Sequence, residues 1–80
     1  MYYVYIIQSI NCPDKRYVGI TQNMRRRLAN HNVGTTPHSR KYKPWEIVMD
    51  LAFKDEMKAI RFEKYLKSCS GRAFAKKRFF

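Results

Sequence analysis

Hydrophobic and polar positions change period several times along the chain, and each change marks an element. The opening run "YYVYIIQS" is dense in β-branched and aromatic residues and reads as a strand. "INCPDK" supplies turn chemistry and "RYVGIT" reads as a second strand, so the two predict a β-hairpin with a longer loop. Alternation places Val4 and Ile6 on one face of the first strand, and Val18 and Ile20 on one face of the second. Tyr3, Tyr5 and Ile7 take the other face, as do Tyr17, Gly19 and Thr21. With the aliphatic pairs aligned, Tyr5 and Tyr17 stand together. Gly19 beside them leaves open space for a ligand backbone.

The period then becomes helical. In "MRRRLANH" (residues 24–31), with Met24 as origin at about 100° per residue, Leu28 falls near ~40°, Arg27 near ~−60° and His31 near ~−20°. Arg25 and Arg26 point away. Arg27 and His31 therefore share the apolar stripe of Met24 and Leu28. An arginine on such a stripe either snorkels its head to water or lines a cleft, because a buried cation needs a partner. Asn23 is the expected N-cap and Gly34 the terminator. "TTPHSRKYKPW" reads as a basic, proline-punctuated loop. "EIVMDLAF" predicts a third strand with Ile47, Met49, Leu51 and Phe53 on one face. Asp55 caps a second helix over roughly 56–68, and "SGRAFAKKRFF" forms a short basic final helix. The order β-β-α-β-α-α predicts a small α+β domain with a mostly antiparallel sheet, a single domain over residues 1–80.

Composition narrows the partners. Seventeen Lys+Arg against six Asp+Glu give a net charge of +11 in 80 residues, with 45% hydrophobic residues to build a core. Such a field attracts polyanions, and nucleic acid leads. The basic residues are spread over several segments, which disfavours a membrane surface. Cys12 and Cys69 match no zinc spacing, and free thiols point to a reducing cytoplasm. The first residues have neither the charge pattern of a signal peptide nor the length of a membrane span.

A second misplaced charge lies in the second helix. Ala59, Phe62, Glu63 and Leu66 follow i, i+3, i+4, i+7, so Glu63 sits on an apolar stripe in a strongly cationic neighbourhood. It either pairs with Lys67 at i+4 or offers a hard oxygen to a divalent cation. Two tyrosines, an arginine, a histidine and one carboxylate form a coherent set for phosphodiester hydrolysis.

Motif order supports the same chemistry. "YVY" (residues 3–5), "YVG" (residues 17–19), Arg27, His31 and Glu63 occur in a sequence order that resembles the GIY-YIG nuclease family, most closely its small stand-alone bacterial members. The resemblance implies a three-stranded sheet flanked by helices and a one-metal site. It makes Glu63 the ligand of Mg2+ or Mn2+ and Arg27 the contact to the scissile phosphate. Tyr5, Tyr17 and His31 would handle water and phosphate, with Tyr5 the base-like residue and Tyr17 the positioner. Tyr3 stands where the first motif has glycine, and Ile20 where related repair nucleases often carry lysine. The asparagine that many members carry after the glutamate helix has no clear equivalent in "SCSGRAF".

The expected activity is a metal-dependent DNA endonuclease with little sequence specificity, with branched or single-stranded DNA and a protein partner for targeting left open. A non-catalytic basic module with the same fold is the alternative, and RNA or an acidic protein partner stays open. Arg25 and Arg26, and His38, Arg40, Lys41 and Lys43 in the basic loop, are expected to track the phosphate backbone. Ser70, Gly71 and Arg72 at a helix start either bind a phosphate through backbone N–H groups or form an ordinary capped turn. Trp45 is expected to anchor the core rather than to stack on bases.

Overall fold

In the computed structural model, which describes residues 1–80, β1 (Tyr2–Ser9) is the central strand of an antiparallel sheet. Its neighbours are β2 (Arg16–Thr21) and β3 (Trp45–Phe53), in the order β2-β1-β3. The hairpin register pairs Val4 with Ile20 and Ile6 with Val18, so the aliphatic residues align and the tyrosines share the other face. Both faces of β1 are apolar, and each acquires a helical cover. Val4 and Ile6 pack with Ala59, Leu66 and Ala75 from α3 (Glu56–Lys67) and α4 (Cys69–Phe79). Tyr5, Ile7 and Trp45 pack with Tyr17, and with Met24 and Leu28 of α1 (Met24–Val33) and Tyr42 of α2 (Pro37–Tyr42). The architecture is α+β, with the element order β-β-α-α-β-α-α.

Local signals fix the helix ends. The Asn23 side chain accepts from Arg26 N at 3.0 Å, and Gly34 closes α1 in the left-handed region at φ 83°. Asp55 accepts from Met57 N at 2.8 Å.

Two expectations are corrected. The basic loop contains the helix α2, six polar-rich residues with no apolar stripe to announce it. What holds it is a reciprocal cap: Thr36 Oγ1 accepts from Ser39 N at 3.1 Å, Ser39 Oγ accepts from Thr36 N at 3.2 Å, and Pro37 opens the first turn. The third strand keeps Met49, Leu51 and Phe53 on one face, paired with Ile6, Val4 and Tyr2, but turns Ile47 to the other. Its register slips between Ile6 and Ile7, so that Ile7 pairs with Ile47 and Ile6 with Met49, leaving Val48 as the extra residue of a bulge. Met49 and Phe53 join the α3–α4 core, while Ile47 and Leu51 are exposed.

Trp45 locks α1 and α2 to the sheet. Its backbone N–H donates to Asn32 Oδ1 at 2.5 Å, and Asn32 Nδ2 donates back to the Trp45 carbonyl at 3.3 Å. The indole N–H donates to the Ser39 carbonyl at 3.0 Å, and the residue is buried as a core anchor.

Candidate active site

Tyr5 is fully buried on the α1 face of β1. Its cross-strand partner is Gly19, and the phenol ring lies over that glycine. A Cβ added at Gly19 would stand 2.6 Å from Tyr5 Cζ and 3.0 Å from Tyr17 Cε1. The space that glycine opens is therefore taken by Tyr5, not left for a ligand, which corrects the sequence expectation. Tyr17 stacks beside Tyr5, with ring centroids 6.3 Å apart and planes inclined at 28°.

The first turns of α1 bring the cation. Arg27 is half-buried while Arg25 and Arg26 are exposed, in the phase that helical spacing predicts. Arg27 Nε donates to Tyr5 Oη at 3.0 Å. One turn on, His31 Nε2 lies 3.4 Å from the same Oη. Oη accepts from Arg27, and its contact with a neutral His31 runs in either direction by tautomer: the phenol donates to Nε2, or Nε2–H donates to Oη and leaves Nδ1 as the basic nitrogen. The His31 ring also packs at 4.9 Å from Tyr17 and 6.2 Å from Trp45, centroid to centroid.

Burial and charge set the protonation states. Burial raises the Tyr5 pKa above its ordinary value, partly offset by the Arg27 hydrogen bond, so the phenol is protonated at neutral pH. The hydrogen bond to Tyr5 pushes Arg27 further up, which keeps its guanidinium charged. Burial, with Arg27 and His38 adding repulsion, lowers His31, so its imidazole is neutral at pH 7 and able to accept a proton. A cavity of about 280 Å³ opens beside these groups, lined by Tyr17, Arg27, Asn30, His31, Thr36 and His38 among others. Tyr5 is not in its wall. The phenol that faces the cleft is Tyr17, which argues against Tyr5 as the base-like residue.

Glu63 comes from the other side. Its helix packs on the Val4–Ile6 face, so the sheet separates α1 from α3, and no ion pair joins Glu63 to Arg27. The carboxylate is nevertheless close enough to contribute to raising Tyr5. Both tyrosines in turn help to raise Lys67, whose largest influence is its hydrogen bond to Glu63. Four of the five residues thus rise from the α1 side, and the fifth approaches across the edge strand β2. Lys67 Nζ lies 2.8 Å from Glu63 Oε2, so the i, i+4 pair is formed. The Glu63 side chain is only 17% exposed.

No group of three or more His, Cys, Asp or Glu could cage a metal. A single carboxylate still suits Mg2+, which commonly takes one or two carboxylates and completes its shell with waters and substrate phosphate. The Lys67 ammonium holds that carboxylate in an i, i+4 ion pair, which a metal would displace. The donor chemistry fits.

The expected phosphate contacts divide. His38 lines the cleft from α2, packing at 5.9 Å from Trp45 and 5.1 Å from Tyr42. Arg40 and Lys41 follow it on α2, and Lys43 lies just beyond, all three exposed. Of Ser70, Gly71 and Arg72, the helix cap takes the backbone N–H groups of Gly71 and Arg72. Ser68 is the N-cap, its Oγ accepts from Gly71 N at 3.1 Å, and the Arg72 N–H donates to the Ser68 carbonyl at 2.9 Å. Those donors are spent within the helix. Gly71 is buried, with a would-be Cβ 2.7 Å from Leu66 Cα, so this glycine serves the α3–α4 contact. Arg72 itself is exposed on the rim of a second cleft. Asn30 and Thr36 escaped the sequence reading. Asn30 is in phase with Arg27 (i+3), and Thr36 carries the cap of an unanticipated helix.

The motif positions and the geometry now coincide with a domain-wide match: the GIY-YIG catalytic domain matches residues 1–78. The chain belongs to the GIY-YIG family. That family is one of endonucleases, and the fold is nuclease-type. The chain is also similar to the UPF0213 protein BH0048 from Bacillus halodurans, seen by solution NMR. The two share 29% identity over 95% of this chain and 81% of that one, with a TM-score of 0.56.

Proposed function

We propose that the protein is a metal-dependent endonuclease that hydrolyses DNA phosphodiester bonds with little sequence preference. The observation that carries this reading is the chain Arg27 Nε–Tyr5 Oη–His31 Nε2 beside Tyr17, at the wall of a cleft with no acidic lining residue. A cation, a neutral imidazole and an accessible phenol stand together where a phosphate can enter.

In this scheme Arg27 faces the scissile phosphate and stabilises the charge that grows on its non-bridging oxygens. Tyr17 orients a water against phosphorus, and His31, in the tautomer whose Nε2–H donates to Tyr5 Oη, takes the water's proton on Nδ1. The water oxygen bonds to phosphorus, the bond to the leaving oxygen breaks, and that oxygen takes a proton from solvent. Tyr5 touches neither water nor phosphate; it holds Arg27 and His31 in register. Glu63 would hold Mg2+ or Mn2+, and the metal would supply Lewis-acid charge to the reaction. Arg25, Arg26 and the α2 cations position the backbone without reading bases.

The test is incubation of purified protein with branched, flapped, single-stranded and linear DNA, with and without Mg2+ or Mn2+. Cleavage that needs the metal and disappears in Glu63→Ala is expected. Tight binding with no metal-dependent cutting on any substrate would make the protein a non-catalytic module of the same fold. Preference for structured RNA or an acidic protein over DNA in competition would change the partner.

A further inference from the structure

A second, larger cleft of about 550 Å³ adjoins the candidate active site on the α3–α4 side. Ile6, Val18, Leu66 and Ala75 line it, so the edge of the main core forms its floor. Arg16, Lys67, Arg72 and Lys76 surround the same hollow, with Asp14 its one acidic residue. Tyr17, from the β2 edge, and Phe80 complete the lining. The Arg16 guanidinium lies 3.7 Å from the Phe80 ring centroid, which holds its charge at the mouth.

Two residues join this cleft to the candidate site. Tyr17 lines both cavities. Lys67 lines the second one, and its ammonium reaches Glu63 at 2.8 Å.

The lining restricts the occupant. A free phosphate has no use for an apolar floor and two aromatic residues. An apolar peptide has no use for four cations. A nucleotide needs both, since its base is a flat ring with an apolar face and its phosphate is an anion. The volume lies within the roughly 300–1,000 Å³ usual for small-ligand sites. A base paired inside a duplex cannot enter such a hollow without leaving its stack.

We propose that this cleft binds one unpaired nucleotide of a DNA strand, next to the phosphate at Tyr17 and Arg27. The base lies on the floor between Val18 and Ala75, and its outer phosphate meets Arg72 and Lys76. The assignment rests on the nuclease reading above for its choice of DNA, and it makes a strand end, flap or single strand the preferred substrate.

The test is binding in EDTA, where no metal-dependent cutting occurs. The probes are a thymidine tetranucleotide, an abasic tetranucleotide with the same number of phosphates, and a short duplex, titrated into 15N-labelled protein. The thymidine strand is expected to bind at least about fivefold tighter than the abasic one. It should shift the amides of Val18, Arg72, Ala75 and Lys76. Arg72→Glu with Lys76→Glu should weaken its binding more than about tenfold. Lys58→Glu with Arg61→Glu makes the same charge change on exposed positions of α3 outside the cleft, and should cost much less. Equal affinity for the thymidine and abasic strands, shifts confined to the first cleft, or equal losses in the two double variants would overturn the assignment. A protein that binds as proposed but never cuts keeps this cleft and loses the nuclease reading. One that cuts thymidine and abasic strands alike, with equal affinity, does the reverse.

Discussion

Arg25, Arg26 and Arg27 carry one charge each, yet only Arg27 gives its guanidinium a protein acceptor, the Tyr5 hydroxyl at 3.0 Å. A purely electrostatic role would make the three alanine variants equivalent. Instead Arg27→Ala should slow cleavage by about 10²–10³, the usual cost of losing one positioned donor, with only modest loss of DNA binding. Arg25→Ala and Arg26→Ala should weaken binding and leave the rate at saturating DNA and metal nearly unchanged. Equal rates for all three would remove Arg27 from the active site. Gly19 gives a second test. The methyl of Gly19→Ala meets the Tyr5 ring, which is fully buried and tied to Arg27 and His31. Overpacking of this kind costs about 1–3 kcal/mol, to be read as a lower midpoint in urea, and the displaced phenol should take cleavage down with it. His31 gives a pH signature. Its folded pKa lies below the ordinary value near ~6.5, so the unfolded chain binds more protons as the solution is acidified. The stability this group contributes is present above that value and is lost as pH falls through the folded one. A His31→Gln variant should therefore show a shallower acid limb in Tm measured from about pH 8 down to about pH 5.

At the scale of elements, α1 is useful only where the Asn32–Trp45 clasp holds it. Asn32→Ala removes both bonds and leaves the buried Trp45 N–H without its partner, at about 1–3 kcal/mol. Thermal melting should fall by several degrees, roughly 4–8 °C per kcal/mol in a domain of this size. Cleavage should fall further than stability alone explains, because Arg27 and His31 ride on the same helix. None of this clasp is written in local pattern: Asn32 reads as an ordinary polar helix residue, and its partner lies 13 positions away. What was legible has short-range causes. Asn23, Gly34 and Asp55 act within one turn of themselves, and the hairpin faces follow from alternation alone. What was not legible depends on tertiary contact. The bulge at Val48 exists because β3 must serve two core faces, and α2 stands on a cap and on Trp45 beneath it rather than on an apolar stripe. The candidate site divides the same way. Helical phase separates Arg27 from its neighbours, whereas the burial of Tyr5 and the approach of Glu63 from the opposite face belong to the assembled sheet.

Across the whole molecule the charge is polarised along the sheet. Four of the six acids, Glu46, Asp50, Asp55 and Glu56, fall on β3 or at the start of α3, and β3 is the edge strand farthest from β2. Asp14 and Glu63 stand near the β2 edge, where Glu63 is already paired with Lys67, and Glu46 lines a hollow with Arg16 and Lys76. The cations that line both clefts have few acids beside them, and a polyanion should dock there. Release of counterions from its backbone then sets the affinity, with log K falling by about 0.9 per neutralised phosphate for each unit of log salt on duplex DNA. Binding measured by anisotropy between roughly 50 and 200 mM salt should fall steeply and vary little with sequence. Reversing Arg25 and Arg26 should make the slope shallower by about 0.9 for each phosphate those two side chains neutralise, whereas reversing Asp50 should leave it unchanged. An affinity that stays flat across that range would mean phosphate contacts are not the source of binding. A slope that responds to Asp50 as strongly as to Arg25 would mean the chain attracts DNA by net charge alone, with no face of its own.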